Sequence, residues 1–105
     1  MEQDEAVREI RILISDLSRH RQVFAQVLFY MFHRIHENSD VNMMTSINLT
    51  TIFGNMTRIL FDALNPNHRS LICNFMILNY NQIFNVHIFV NYVYLKGNYN
   101  ETFFR

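Results

Sequence analysis

The stretch NMMTSINLTTIFGNMTRIL, Asn42 to Leu60, carries most of what this sequence says about its fold. It leaves a polar loop at Thr45 and enters an apolar pattern of helical period. It therefore predicts a helix over Ser46–Ala63, capped by Thr45. Ile47, Ile52, Phe53, Met56, Ile59 and Leu60 are expected to face inward. Two residues do not fit a plain buried helix. Gly54 falls in mid-helix, where glycine costs about 1 kcal/mol against alanine. Asn48 puts a side chain that both donates and accepts on the first turn.

The same period continues upstream. Val7, Ile10, Leu13, Ile14 and Leu17 form one stripe of a helix expected over Asp4–Leu17. Asp4 and Glu5 suit its first turn, and Asp4 is within reach of Arg8 one turn on. Ser18 is the expected cap of a second helix, Arg19–His36, on which Val23, Phe24, Val27, Leu28, Met31, Phe32 and Ile35 recur every three or four residues. Phe29 and Tyr30 widen that stripe, which predicts burial on more than one side. HENSDVN reads as a polar loop. Downstream, Asn65-Pro66 is a helix-start signal, and a fourth helix is expected over Pro66–Tyr80 with Leu71, Ile72, Phe75 and Met76. After Phe84 the β-branched and aromatic run VHIFVNYVYL favours a strand, with KGN turning the chain back. The fold class is thus all-α: one domain of four helices over residues 1–85, then a short irregular or β-like tail over 86–105.

Composition narrows the function classes. Nine basic and nine acidic side chains cancel, so no long-range field draws the chain to nucleic acid. The acidic start MEQDEAVREI is not a signal peptide, and no run of about 18 apolar residues exists to span a membrane. Cys73 is the single cysteine, within an apolar helical pattern. It reads as a small buried apolar residue in a reducing, cytoplasmic setting. His33 and His36 stand i, i+3 and share a helix face, but no third ligand follows at a telling spacing. The plainer reading, two loosely packed imidazoles near a helix end, is preferred, and no metal or cofactor is expected. There is no Gly-x-Ser-x-Gly elbow and no phosphate-binding glycine loop, since Gly54 and Gly97 are the only glycines. An enzyme complete within this chain is not expected.

Asn42-Met43-Met44-Thr45, Asn48-Leu49-Thr50 and Ile52-Phe53-Gly54-Asn55 together resemble the signature of the RhoGAP domain, roughly Asn-Lys-Met-[Thr/Ser]-x-x-Asn-Leu-Ala-x-[Val/Ile]-Phe-Gly-Pro. The preceding LISDLSRHRQVFAQVLFYMFHRI is similar to the family's helix before that loop. NHRSLICNFMILNYNQIF resembles its last helix, ending in an Asn-x-x-x-[Ile/Leu]-Phe phrase that here is Asn79 to Phe84. The likeness runs from about Ile10 to Phe84, the C-terminal half of such a domain, so the four helices read as its remnant.

The resemblance implies a Rho-family small GTPase as partner and a role in signal transduction. It implies that Asn48 helps organise the GTPase contact, that Phe53 enters the core, and that Gly54 lets a neighbour approach closely. It also implies what to miss: the family's arginine finger lies in a Gly-x-x-Arg-x-Ser-Gly loop of the first half, which this sequence lacks. No catalytic residue is therefore expected. Apolar faces built to meet that half would be left uncovered, and the tail or a homo-oligomer are two ways of covering them.

Overall fold

A computed structural model describes residues 2–61 and 66–84, and every element among them is a helix. The elements are α1 (Gln3–Ser15), α2 (Arg19–Glu37), α3 (Ser39–Asn42), α4 (Ser46–Phe53), a 3₁₀ turn (Gly54–Met56), α5 (Thr57–Leu60), α6 (Pro66–Leu78) and α7 (Tyr80–Ile83). The all-α, four-helix reading holds, with the third and fourth helices each broken once. The expected cap at Asn65 and the β-like tail lie outside the described residues.

Both tested caps form. Ser18 Oγ accepts from Arg21 N at 3.3 Å and opens α2. Thr45 Oγ1 accepts from Asn48 N at 3.2 Å and opens α4. Each satisfies one of the backbone donors that a helix start leaves without a partner. The segment expected as a loop after His36 contains a single helical turn, α3, closed by Met43 in the left-handed conformation (φ 65°). Asp4 and Arg8 are both exposed and form no ion pair. The place of Asp4 and Glu5 in the first turn is explained by solvation and the helix dipole.

The third helix breaks at Phe53 because its sequence weakens it there. Thr50, Thr51, Gly54 and Asn55 are poor helix formers. The buried Thr57 hydroxyl takes the Gly54 carbonyl at 2.6 Å, competing with the helical ladder. A 3₁₀ turn rotates the chain faster than an α-turn, so the inward face is reset. Leu49 and Leu60 are buried, and Phe53 and Met56 pack against the core. Ile47, Ile52 and Ile59, expected inside, are exposed.

A larger correction concerns α2. Its buried residues are Ala25, Gln26, Phe29 and Phe32. Of the expected stripe, Phe32 is buried and Leu28 and Ile35 pack against the core, whereas Phe24, Val27 and Met31 are 43%, 57% and 49% exposed, and Tyr30 also reaches solvent. The polar residues on the inner side earn their burial by stapling helix ends. Gln22 Nε2 donates to the carbonyls of Ser15 and Leu17. His33 Nδ1 bonds the Ile77 carbonyl at 2.7 Å, and His36 Nδ1 accepts from Ser46 N at 2.9 Å. On α6 the inward set is Cys73, Met76 and Ile77, while Leu71 is exposed.

Aromatic rings connect the helices in one chain of contacts. Phe53 stacks on Phe32 at 5.1 Å, and Phe32 meets Phe29 edge-on at 5.7 Å. Phe29 faces Phe84 at 6.3 Å, and Phe84 stacks on Tyr80 at 5.0 Å. Such pairs contribute about 0.5–1.5 kcal/mol each beyond the area they bury. Tyr80 also donates its hydroxyl to the Gln26 carbonyl at 3.1 Å, tying α7 to α2. Asn79, between α6 and α7, receives a 2.7 Å bond from Gln3 Nε2 and donates to the Phe75 carbonyl, so the Asn79–Phe84 phrase holds α1 against the end of the bundle.

Candidate functional site

The corner that leads into α4 is built largely from asparagine amides. Asn38 Nδ2 donates to the Arg34 carbonyl at 3.0 Å, and Asn42 Nδ2 to the Ile35 carbonyl at 2.9 Å. Asn42 Oδ1 accepts from Met44 N at 2.7 Å. Asn48 Nδ2 then donates back to the Met43 carbonyl at 3.0 Å. A short polar side chain that donates and accepts can replace backbone partners where the chain turns sharply. The Asn48 side chain is exposed on α4, and its Oδ1 has no partner among the described residues. It is an acceptor held in a fixed direction and open to whatever docks there.

Below this corner the two histidines have separate tasks. His36 supports the start of α4 through Ser46 N, and His33 stacks on Tyr80 at 5.6 Å while bonding Ile77. They are not loosely packed, and their nitrogens do not converge. Among the described residues no three His, Cys, Asp or Glu side chains come together as a metal site.

Gly54 is buried, but not because α6 needs its bare backbone. A Cβ built there would stand 3.6 Å from Thr50 Cγ2 and 3.7 Å from Ser70 Oγ, ordinary contact distances. It borders instead a groove of about 530 Å³ between α4 and α6, lined in part by Thr50, Thr51, Asn55, Arg69, Ser70 and Asn74. Three polar atoms of this lining, Thr50 Oγ1, Arg69 Nε and Asn74 Oδ1, are shielded from solvent and have no hydrogen-bond partner among the described residues. Each such atom costs about 1–3 kcal/mol while it stays unpaired. The buried Cys73 thiol is adjacent in sequence to Asn74. Burial pushes its pKa up, with the nearby Thr50 hydroxyl partly opposing that shift without reaching hydrogen-bond geometry. The thiol is therefore a poor nucleophile.

A model of the RhoGAP domain matches residues 1–74. The chain belongs to the RhoGAP family. No curated protein and no solved structure matches it. RhoGAP domains act on Rho-family small GTPases in signal transduction, which sets the functional context of this chain. The match starts before Ile10 and stops short of the Asn79–Phe84 phrase, whose role here is packing. Measured against the RhoGAP pattern, Met43 stands at the lysine position, Thr50 at the alanine and Asn55 at the proline. Two of these three departures, Thr50 and Asn55, line the groove between α4 and α6. Sequence reading passed over that groove, although a hydroxyl at an alanine position was a signal it could have used.

Proposed function

We propose that this chain binds a Rho-family GTPase through the exposed edge of the Thr45–Asn48 corner and does not accelerate GTP hydrolysis by itself. The observation that carries the reading is the state of Asn48. Its amide nitrogen fixes the loop at Met43, and its oxygen remains open as an acceptor for a backbone or side-chain donor of the partner. Catalytic acceleration needs a cation that stabilises the charge developing on the transferred phosphoryl group, a contribution of roughly 10³–10⁵ in rate. No Gly-x-x-Arg occurs in the 105 residues; Thr57 and Asn100 stand three positions after the two glycines. Arg19, Arg21, Arg34 and Arg58 sit in other sequence contexts and do not inherit the role. Such a partner is met in the cytoplasm, and these 105 residues bind it without catalysing. A single-turnover assay with several Rho-family GTPases tests this. The expected rate is the intrinsic one, and acceleration near that of an intact domain would refute the reading.

A second reading, a helical interaction module without GTPase contact, has one observation in its favour. The stripe of Phe24, Val27 and Met31 lies exposed along α2. Contiguous exposed apolar surface of this kind marks a contact site. Sedimentation of the purified chain separates the readings: a stable homo-oligomer that dissociates on Val27→Glu and binds no GTPase favours the second.

A further inference from the structure

The groove between α4 and α6 has a chemistry that the GTPase reading does not use. Among the described residues three buried polar atoms lack a partner, each calls for an explanation, and all three belong to residues lining one cavity. We propose that this groove binds an oxyanion, a carboxylate or phosphate group. An oxyanion has enough acceptor lone pairs to take a hydrogen bond from all three side chains at once, and its charge is opposite to that of Arg69. Arg69 offers Nε–H, and its guanidinium is the only formal charge among the described residues of the lining. Thr50 offers its hydroxyl proton. Asn74 makes no side-chain hydrogen bond among the described residues, so its amide can turn to present Nδ2. Among the described residues no acidic side chain lines the groove to compete.

Thr50 and Asn74 border the groove, so turning their side chains about χ1 and χ2 toward it is the movement the proposal requires. At about 530 Å³ the space matches the size of small-ligand pockets. The RhoGAP signature has alanine where Thr50 stands, so one of the three groups departs from the family phrase. The oxyanion can come from a small anionic molecule in solution or from an acidic side chain of a docked protein, and the test distinguishes these sources.

The test is a titration of the full-length, ¹⁵N-labelled chain followed by NMR, with sodium phosphate in one arm and N-acetylglutamate in the other. Sodium chloride at matched ionic strength is the reference. The expected result is a saturable shift of the Thr50 amide, the Asn74 amide group and Arg69 Nε–H in at least one arm. A response to phosphate points to a free anion, and a response to N-acetylglutamate alone points to a protein carboxylate. Thr50→Ala, which restores the family residue, and Arg69→Gln should each weaken the response at least tenfold. The far-UV spectrum should be unchanged. No saturable response in either arm with the unmodified chain overturns the proposal. So does an unchanged response in both variants.

Discussion

Asn48 Nδ2 donates a 3.0 Å hydrogen bond to the carbonyl of Met43, a residue held at φ 65°. A side chain of α4 thus clamps the one described residue outside glycine that adopts a left-handed conformation. Left-handed backbone costs an L-residue roughly 1–2 kcal/mol, and the clamp offsets part of that. Met43→Gly should raise stability by up to about 1 kcal/mol, the backbone relief being partly cancelled by glycine's freedom in the unfolded chain. Asn48→Ala should lower stability by about 0.5–1.5 kcal/mol. Urea denaturation measures both, and a destabilising Met43→Gly would show that the clamp is not needed to hold strain.

The two faces of α2 make opposite predictions. Phe32 is 2% exposed, stacked on Phe53 and edge-on to Phe29. Phe32→Ala should cost about 3–5 kcal/mol, a large share of a small domain's stability. Phe24→Ala on the opposite face should change stability by less than about 0.5 kcal/mol. Equal losses at the two positions would mean that the buried face is misassigned.

Tyr80 couples packing to pH. Burial pushes its phenol above the ordinary 10.0, with the Gln26 contact opposing the shift and Tyr30 adding to it. Burial likewise raises Cys73 above 9.0. Both groups hold their protons more tightly folded than unfolded. Their contribution is complete below the unfolded values and is lost as pH rises toward the folded ones. Stability should therefore fall once pH passes about 9. Tyr80→Phe should cost about 1–2 kcal/mol at pH 7, because the Gln26 carbonyl loses its donor. It should also flatten the alkaline decline. Denaturation midpoints at pH 8 and pH 10 check the sign, and a rise between them contradicts it.

Gly54→Ala tests whether the signature glycine is sterically required. The surrounding atoms leave room for a methyl group at 3.6–3.7 Å, and alanine is the better helix former. The variant should be as stable as the parent or more stable by up to about 1 kcal/mol, read as the thermal midpoint. A loss of more than about 1 kcal/mol would show that the neighbours cannot yield.

Which parts of this molecule were legible in sequence follows from where its polar groups go. The helix starts were readable, because Ser18, Thr45 and Pro66 act through their own backbone neighbourhood. The α1 stripe was readable because Val7, Ile10 and Ile14 are apolar and have polar residues around them. The buried face of α2 was readable only in part, through Leu28, Phe32 and Ile35. Gln22, Gln26, His33 and His36 look like a solvent side in sequence, yet Gln22, His33 and His36 bond the ends of other helices, and Gln26 offers its backbone carbonyl to Tyr80. Those partners lie up to 54 residues away, where no local period can reveal them. The break at Phe53 was hidden for a related reason: it depends on the Thr57 hydroxyl and on the packing of α6, not on a proline. Asn48 was singled out from the RhoGAP phrase alone. The groove beneath it needed coordinates, since Arg69 and Asn74 join Thr50 only when α6 lies against α4.

The most direct measurement is calorimetric titration of the purified chain into Rho-family GTPases loaded with a non-hydrolysable GTP analogue, repeated with Asn48→Ala. Saturable binding to at least one of them, reduced at least tenfold by the substitution while the far-UV circular dichroism stays unchanged, is the predicted result. Binding that is indifferent to Asn48, or no binding by the unmodified chain to any of these GTPases, would contradict the account.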